Sequence, residues 1–426
     1  MNNIFDFTKI SDACVKCGKC KPVCTIFSIN QDEATSPRGF IDLLGAYKEG
    51  KLKLDKNTKN IFESCFLCAN CVEVCPNSLP TDMIIEQIRN DIRKKFGLAW
   101  YKKSFFFLLR HRKTMDILAK FGWVFQTCAL KLDHKKQSAL PRFSLPIIKK
   151  NRALPFSAKQ SFLKKYPENI KAKNQNKDTK KVAIFIGCMS NYAYTSTGDA
   201  LVKILKTLDI DIFIPKKQAC CSAPAYFTGD FKTVDYLIKK NIEYFETWID
   251  DVDAIITAEA TCSAMINTDW EHYLHDQESW ALRAKKIASK VFLASKFLQE
   301  QTNLEEILKA KNKIFDEKIT YHDPCHAKKM QGVWQEPRKL LSANYKLIEM
   351  SNSNRCCGFG GITMQSNNYH LAKKAGVPKA KMIQESKAQI VSAECSACRM
   401  QITNALHLEG SNIIFKNPIE LIAKAL

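Results

Sequence analysis

The sequence predicts a multidomain α+β protein in which a helical N-terminal unit is followed by two similar α/β lobes. Three observations predict this architecture: a cysteine pattern that occurs twice before residue 80, a basic and aromatic middle segment, and an internal repeat across the second half. With 426 residues, 46% of them hydrophobic, the chain is long enough for two or three domains of ordinary globular composition. We expect the boundaries to fall at residues 1–96, 97–180, 181–310 and 311–426.

The N-terminal unit carries the pattern C-x2-C-x2-C-x3-C twice. Three thiolates two residues apart on one loop can hold three corners of a cubic [4Fe–4S] cluster, whereas the fourth cysteine lies a turn further on and ligates the partner cluster. The first predicted cluster is held by Cys14, Cys17, Cys20 and Cys75. The second is held by Cys65, Cys68, Cys71 and Cys24.

Two other uses of cysteine fit this spacing less well. A structural zinc site needs two cysteine pairs separated by a longer loop, not four cysteines within eleven residues. A disulfide framework belongs to secreted chains, and residues 1–10 have neither the basic start nor the long apolar stretch of a signal peptide. We therefore expect a cytoplasmic iron–sulfur protein.

The middle segment concentrates the positive charge of the chain. Residues 97–181 contain 21 Lys and Arg against four Asp and Glu, and aromatic residues accompany them between residues 100 and 125. A basic helix with aromatic residues beside the charge is typical of a helix that lies on an anionic membrane surface. Two alternatives stay open: the aromatic residues pack on the protein's own core, or an acidic partner docks here.

Nucleic acid is not an expected partner, because no binding motif accompanies the charge. No apolar run approaches the roughly 18 residues of a membrane span. Residues 140–181 are rich in Pro, Lys and Asn, which indicates a linker with few core residues. Cys128, alone in the aromatic segment, is expected to be a small buried residue.

The second half contains two copies of one cysteine pattern. Copy one has Cys188, Cys220, Cys221 and Cys262, and copy two has Cys325, Cys356, Cys357, Cys395 and Cys398. The landmarks are separated by 31 and 40 residues in copy one and by 30 and 37 in copy two. Short apolar runs alternate with helical patterns in both, which indicates a parallel sheet covered by helices. The runs lie at 181–186, 210–214 and 254–257 in copy one and at 319–322, 345–348 and 389–392 in copy two. Each key cysteine then follows the carboxyl end of a strand, where open α/β sheets build their sites.

The copies differ at two positions of this pattern: copy one has Met265 where copy two has Cys398, and Ser222 where copy two has Gly358. A thioether is a poor iron ligand beside thiolate. The four cysteines of copy one could hold an ordinary cluster, or the lobe could serve packing alone, and both interpretations stay open.

Two histidines flank the first cysteine of copy two, His322 and His326 around Cys325. As neutral imidazoles they could donate hydrogen bonds to cluster sulfur or relay a proton. The alternative is a purely structural role.

The pattern Cys-x30-Cys-Cys-Gly-x36-Cys-x2-Cys of copy two resembles the CCG cysteine-rich domain of heterodisulfide reductase subunits. The resemblance implies that the five cysteines of copy two hold a non-cubane [4Fe–4S] cluster. The whole chain is similar to the iron–sulfur subunit of glycolate oxidase, through Ser36-Pro37-Arg38-Gly39, the sequence TAEATC at 257–262 and NPIEL at 417–421. This resemblance implies an α-helical ferredoxin-like two-cluster domain followed by duplicated CCG lobes.

The implied function is electron relay. A partner flavoprotein with FAD would oxidise glycolate or D-lactate, and this chain would pass the electrons towards quinone at the inner face of the cytoplasmic membrane. No G-x-G-x-x-G follows a strand, and no Ser-His-Asp or paired-carboxylate constellation is evident, so we expect neither a flavin site nor a catalytic residue on this chain.

Three alternative functions stay open. The first is the related iron–sulfur subunit of anaerobic glycerol-3-phosphate dehydrogenase, which shares the architecture. The second is a CCG-type disulfide reductase, which requires substrate access to Cys356 and Cys357. The third is a non-enzymatic cluster carrier or regulator.

Overall fold

The computed structural model of the chain describes residues 7–144, 150–175 and 179–426. Within these ranges it combines helices with three β-sheets, which is the predicted α+β class. Residues 145–149 and 176–178 of the expected linker lie outside the described residues.

Residues 7–96 form the N-terminal unit, in which the structure has helices and no strand. The helices are α1 Phe7–Asp12, α2 Cys20–Val23, α3 Phe27–Asn30, α4 Pro37–Lys48, α5 Lys56–Glu63, α6 Asn70–Glu73 and α7 Thr81–Phe96, with a 3-10 turn at Glu33–Thr35. Most are short because the cysteine loops interrupt them. The longer α4 and α7 pack against each other and support those loops.

The middle segment begins with two consecutive helices, α8 Trp100–Arg110 and α9 Arg112–Ala129. They are followed by the antiparallel hairpin of β1 Leu130–Asp133 and β2 Ser138–Pro141, and by the short helix α10 Phe162–Lys165. The expectation of few core residues over 140–181 is wrong for α10, because Phe162 is fully buried in the core of the following lobe.

Lobe one (residues 181–310) is built on a five-stranded sheet of order β3-β5-β4-β6-β7. Its strands are β3 Asn169–Ile170, β4 Lys181–Ile184, β5 Asp211–Phe213, β6 Ala254–Thr257 and β7 Val291–Leu293. The edge strand β3 is antiparallel and comes from the expected linker, whereas the other four are parallel. The helices are α11 Cys188–Tyr192, α12 Thr195–Thr207, α13 Ala223–Tyr226, α14 Phe231–Glu246, α15 Ala260–Ala264, α16 Trp270–Tyr273, α17 Glu278–Ala288, α18 Ala294–Glu300 and α19 Leu304–Ala310, with a 3-10 turn at Ile249–Asp251 and a π-helical turn at Met265–Asp269.

Lobe two (residues 311–426) has a four-stranded parallel sheet of order β11-β10-β8-β9. Its strands are β8 Phe315–Tyr321, β9 Tyr345–Leu347, β10 Ile390–Ser392 and β11 Ile414–Lys416. The helices are α20 Cys325–Gln331, α21 Glu336–Ser342, α22 Gly361–Ser366, α23 Tyr369–Glu385, α24 Ser396–Leu408 and α25 Pro418–Ala425. The strand order equals that of the four parallel strands of lobe one, so the predicted internal repeat is confirmed at the level of topology.

The units share cores. Helix α25 of lobe two packs on α12 of lobe one, and one hydrophobic cluster runs through both lobes. A second cluster joins the N-terminal unit to lobe two and contains both Cys24 and Cys356. Arg89 of α7 is buried at a junction with lobe one, where its guanidinium donates to the carbonyl oxygen of Phe227 at 2.8 Å. The loops that carry the cysteines therefore lie between units that share hydrophobic cores.

Candidate iron–sulfur sites

The eight N-terminal cysteines gather in two groups, as the spacing predicts. One cavity, with about 370 Å³ of empty volume, is lined by Cys24, Cys65, Cys68 and Cys71. A neighbouring cavity, with about 430 Å³, is lined by Cys14, Cys17, Cys20 and Cys75, together with Cys71. The fourth cysteine of each run thus lies with the first three of the other, the arrangement of two-cluster ferredoxins. The ligand assignment itself stays a prediction.

Both cysteine loops adopt the same unusual backbone. Lys16 and Leu67 occupy equivalent positions and have φ of 53° and 52°. Gly18 and Ala69, also equivalent, have φ of 78° and 52°. A left-handed conformation costs a non-glycine residue roughly 1–2 kcal/mol, and such strain is characteristic of binding loops. The left-handed residues turn each loop around its cavity.

The segment Ser36-Pro37-Arg38-Gly39 supports the first loop. Ser36 caps α4 by accepting a hydrogen bond from the Gly39 amide at 3.1 Å, with Pro37 at the start of the helix. The guanidinium of Arg38 donates to the carbonyl oxygen of Lys16 at 3.0 Å, which fixes the loop between Cys14 and Cys17.

The donor chemistry fits iron–sulfur clusters. All 18 cysteines lie in the described residues, and none forms a disulfide. The amide of Leu67 donates to Cys65 Sγ at 3.4 Å, and amide-to-sulfur hydrogen bonds stabilise a negatively charged ligand set. Burial raises the pKa of Cys65 to about 12, so this thiol is neutral until a metal displaces its proton.

In lobe one, four cysteines converge at the carboxyl ends of the strands. Cys188 begins α11 after β4 and lies close enough to Cys220 for that thiol to raise its pKa, while the Cys262 thiol acts in the same way on Cys221. Met265, fully buried, occupies the position that would complete a five-cysteine set. Both interpretations of lobe one therefore stay open. The four thiols could hold an ordinary four-thiolate cluster, and the buried Met265 is also consistent with a lobe that only packs against its neighbours.

In lobe two, all five cysteines come together. Cys325 begins α20, Cys395 precedes the first residue of α24, and Cys398 lies in its first turn. Cys357 Sγ lies 3.4 Å from Cys398 Sγ, and the amide of Gly358 donates to Cys356 Sγ at 3.3 Å.

The thiols of the two lobes differ in acidity. Hydrogen bonds from Cys356 and Cys398 lower the pKa of Cys357, and a hydrogen bond from Cys398 lowers that of Cys395 to about 7. In lobe one a hydrogen bond from Cys220 lowers the pKa of Cys221, but the bond to Cys262 and burial outweigh it, and the net pKa is raised. The fifth thiol of lobe two, Cys398, has a raised pKa itself and favours thiolate formation at Cys357 and Cys395.

The N-terminal unit and lobe two meet through their cysteines. The side chain of Cys68 packs against the hydrophobic cluster that contains Cys356, and the Cys356 thiol is close enough to raise the pKa of Cys68. Two hydrogen bonds stabilise the junction. Lys329 Nζ donates to Asn70 Oδ1, and the side-chain Nδ2 of Asn354 donates to Glu73 Oε2 at 2.9 Å. The second N-terminal cavity therefore adjoins the cysteine set of lobe two.

The flanking histidines have different surroundings. His326 Nδ1 lies 3.4 Å from Cys325 Sγ, and its ring contacts Phe227 of lobe one. His322 is 1% exposed and lies with Cys357 and Cys398.

Lys379, a fully buried lysine beside this site, was not predicted from the sequence. Its Nζ donates to the carbonyl oxygens of Asn352 and Ser353 at 2.8 and 3.2 Å, on the loop that leads to Cys356. A signal was available, because Lys379 lies on the apolar face of α23 at helical spacing from Ala372, Ala375 and Ile383. Cys128, by contrast, was expected to be buried and is exposed.

Helices α8 and α9 present an apolar surface. Seven of the thirteen large apolar side chains that are exposed in the described residues lie on them: Trp100, Phe107, Ile117, Leu118, Phe121, Val124 and Phe125. Phe106 and Leu109 are buried in the core of lobe one, so packing explains part of the aromatic pattern. Among the described helices, none combines the length and apolar character that a membrane span requires.

The chain matches two families of known proteins. Residues 10–79 match the 4Fe-4S dicluster domain, and residues 182–267 and 319–403 each match the cysteine-rich domain known as CCG. Both matches coincide with the cysteine groups described above.

Several named proteins are similar over most of their length. A probable glycolate oxidase iron-sulfur subunit of Bacillus subtilis is 29% identical over 93% of this chain and 89% of its own length. Lactate utilization protein A of an Exiguobacterium species is 30% identical over 54% of this chain and 92% of its own length. One of the subunits of the CoM/CoB fumarate reductase of Methanothermobacter marburgensis is 25% identical over 98% of this chain and 73% of its own length.

Proposed function

The chain belongs to the family of iron–sulfur proteins that includes glycolate oxidase iron–sulfur subunits and lactate utilization protein A, and we propose that it is the electron-transfer subunit of an FAD-linked 2-hydroxyacid dehydrogenase. The partner flavoprotein oxidises glycolate or D-lactate to the 2-oxo acid and takes two electrons. This chain carries those electrons onwards to quinone, which is reduced to quinol.

The observation that carries the proposal is the proximity of Cys68 to Cys356. It joins a cavity of the N-terminal unit to the cysteine set of lobe two. Iron–sulfur clusters held at such sites take up and release single electrons. Two further contacts at this junction support the proposal: Arg89 donates to the carbonyl oxygen of Cys65 at 2.7 Å, and Lys329 of α20 donates to Asn70.

Anaerobic affinity purification of the tagged chain from its own cells tests this proposal. We expect a flavoprotein to co-purify and the complex to reduce a dye with glycolate or D-lactate. Dye reduction with glycerol 3-phosphate alone would move the chain to the related dehydrogenase subunit. Isolation without a flavoprotein would contradict the proposal.

The disulfide-reductase alternative has less support. It needs a substrate disulfide to reach Cys356 and Cys357, which are only 6% and 5% exposed. Reduction of a model disulfide by the pre-reduced chain, without any flavoprotein, is the result that would favour it.

The surface of α8 and α9 is the proposed docking face for the anionic inner surface of the cytoplasmic membrane. Lys103, Lys113 and Lys120 are exposed among its apolar side chains, which supplies the charge complementarity that such a surface needs. A membrane contact here would bring the chain to the quinone pool.

Flotation with vesicles containing anionic phospholipid tests the docking face. Phe121→Glu with Phe125→Glu should abolish flotation. The matched control, Leu282→Glu with Ile314→Glu, changes two equally exposed apolar residues elsewhere and should float like the wild type. Equal flotation of both variants would contradict this role, and binding to the flavoprotein instead would assign the surface to the partner.

A further inference from the structure

His322 lies at the carboxyl end of β8, three residues before Cys325, and its position is rigidly set. Its backbone amide donates to the carbonyl oxygen of Ser392 at 2.9 Å, which continues the pairing of β8 with β10. The ring is buried, with 1% of the residue exposed. The side chain therefore has one environment, the space between the sheet and the cysteine loops.

The hydrogen bonds of the ring identify its tautomer. His322 Nδ1 lies 3.1 Å from the carbonyl oxygen of Ser353. A carbonyl only accepts hydrogen bonds, so Nδ1 carries the proton and donates it. The same oxygen accepts from Lys379 Nζ at 3.2 Å, so a buried cation lies beside the ring. In the neutral imidazole, Nε2 then has a free lone pair.

The imidazole of His322 lies beside two thiols. Nε2 of His322 is buried and has no hydrogen-bond partner in the described residues. One ring nitrogen of His322 lies within 4.8 Å of the Sγ atoms of Cys357 and Cys398, which are equally close to each other. Because Nδ1 is hydrogen-bonded to Ser353, Nε2 is the ring nitrogen whose lone pair is available to a ligand in this group. An unsatisfied buried acceptor is destabilising. A metal ion bound between these three atoms would satisfy it.

Lobe one provides an internal comparison. The residue three positions before Cys188 is Phe185, which is fully buried, and the counterpart of Cys398 is Met265. The counterpart of Cys357, Cys221, is retained. The imidazole and the fifth thiol are therefore present together in lobe two and absent together in lobe one, as expected for two ligands of one centre.

We propose that His322 Nε2 is a nitrogen ligand of the iron–sulfur centre of lobe two, beside Cys357 and Cys398. The inference rests on the proposed function only in that lobe two must hold a cluster. A neutral imidazole leaves less negative charge on a cluster than a thiolate, and this raises its reduction potential. His322 would tune lobe two to accept electrons from the thiolate-ligated N-terminal clusters.

Pulsed EPR on the whole chain tests the assignment without any substitution. The iron-loaded chain is prepared with natural histidine and with ¹⁵N-histidine, and the signal of lobe two is identified by its loss in Cys398→Ser. We expect a strong nitrogen coupling on that signal, which changes with the label. It should vanish in His322→Asn and persist in His326→Asn, whose histidine also lies beside a ligand cysteine.

The possible results separate this proposal from the proposed function. Two results would overturn the assignment of His322 as a ligand and leave the electron-transfer role intact. One is the absence of histidine coupling while the iron of lobe two is present, and the other is coupling that persists in His322→Asn. Equal iron content in the wild type and in Cys398→Ser overturns both the ligand and the cluster of lobe two. As a second readout, His322→Cys should lower the midpoint potential of this centre, because a thiolate adds negative charge. An unchanged potential would speak for a merely structural histidine and against the proposal.

Discussion

The two lobes share a sheet order, a cysteine pair after the second strand and a cysteine at the start of the helix after the first strand. They differ in what surrounds that pair. Lobe two has Cys398 and His322 where lobe one has Met265 and Phe185. Lobe two also has the buried Lys379 near its cysteine pair. In lobe one, Asn241 donates to the carbonyl oxygen of Cys220 at 2.9 Å.

The comparison separates what the fold needs from what the site needs. The parallel sheet places the cysteine pair in both lobes, since the pair follows the carboxyl end of β5 or β9. Two side-chain positions then determine the donor set, and changing them leaves the sheet order intact. The binding chemistry is therefore a local property of lobe two, carried on a scaffold that both lobes share.

The largest expected effect comes from Cys398→Ser. The variant removes the thiol that lobe two has and lobe one lacks, and we expect lobe two to lose its iron. The loss should exceed the roughly 10–100-fold weakening that follows from changing a residue outside the ligand set. Iron and sulfide analysis with EPR measures it. The matched change in lobe one, Met265→Leu, conserves volume and should leave the iron content unchanged; a loss of iron there would mean that lobe one depends on its thioether.

A second effect should be a pH dependence of the folding stability through Asp269 of lobe one. Lobe two has the apolar Ile402 at the equivalent position and lacks this titrating group. Burial raises the pKa of Asp269 to about 7, while in the unfolded chain it is near 3.8. Because the folded state holds the proton more tightly, the stability contributed by this group is present at low pH and is lost as the pH rises towards 7. The loss is about 2 kcal/mol between roughly pH 5.5 and pH 8.

Thermal unfolding of the wild type and Asp269→Asn across that range tests this prediction. The amide does not titrate, so the variant should gain on the wild type as the pH rises. Parallel profiles for the two proteins would show that Asp269 is not protonated in the folded chain.

A smaller effect should come from the residue after each cysteine pair. Gly358 has φ of 87°, and a Cβ there would lie 2.7 Å from Ala375 Cβ. Gly358→Ala therefore adds left-handed strain and a steric overlap, and should destabilise lobe two by about 3 kcal/mol. Chemical unfolding of the iron-loaded chain measures this change, and a loss below about 1 kcal/mol would mean that α23 shifts to make room.

The smallest effect is the reverse change in lobe one. Ser222 has φ of 79°, and its hydroxyl is buried with no partner in the described residues. Ser222→Gly relieves the strain and removes the unsatisfied group, so it should stabilise lobe one by roughly 1 kcal/mol. A decrease in stability would show that Ser222 makes a contact that offsets its backbone cost.

Much of this architecture was predictable from the sequence, because it is written in local patterns. The strand runs at Lys181–Ile186, Ile210–Ile214 and Ala254–Thr257 correspond to β4, β5 and β6 within three residues. The short edge strands β7 and β11 and the linker strand β3 were missed, since three apolar residues or fewer give no periodic signal. The match to the dicluster and CCG families agrees with the predicted cysteine groups.

The contacts between units were not predictable, because they depend on packing between distant segments. Nothing in the spacing of Cys68 and Cys356 indicates that these thiols lie close together. The roles of Lys379 and Arg89 likewise depend on which carbonyl groups lie opposite them. Buried cations on otherwise apolar helix faces are nevertheless a signal that can be searched for.

The N-terminal clusters and the centre of lobe two are proposed to lie in series, and EPR of the fully reduced chain tests this arrangement most directly. Two paramagnetic centres whose ligands Cys68 and Cys356 lie close together should broaden and split each other's signals. We expect this interaction in the wild type and its loss in Cys398→Ser, with the signals of the N-terminal clusters then simplified but not diminished. Identical N-terminal signals in the two proteins would contradict the series arrangement.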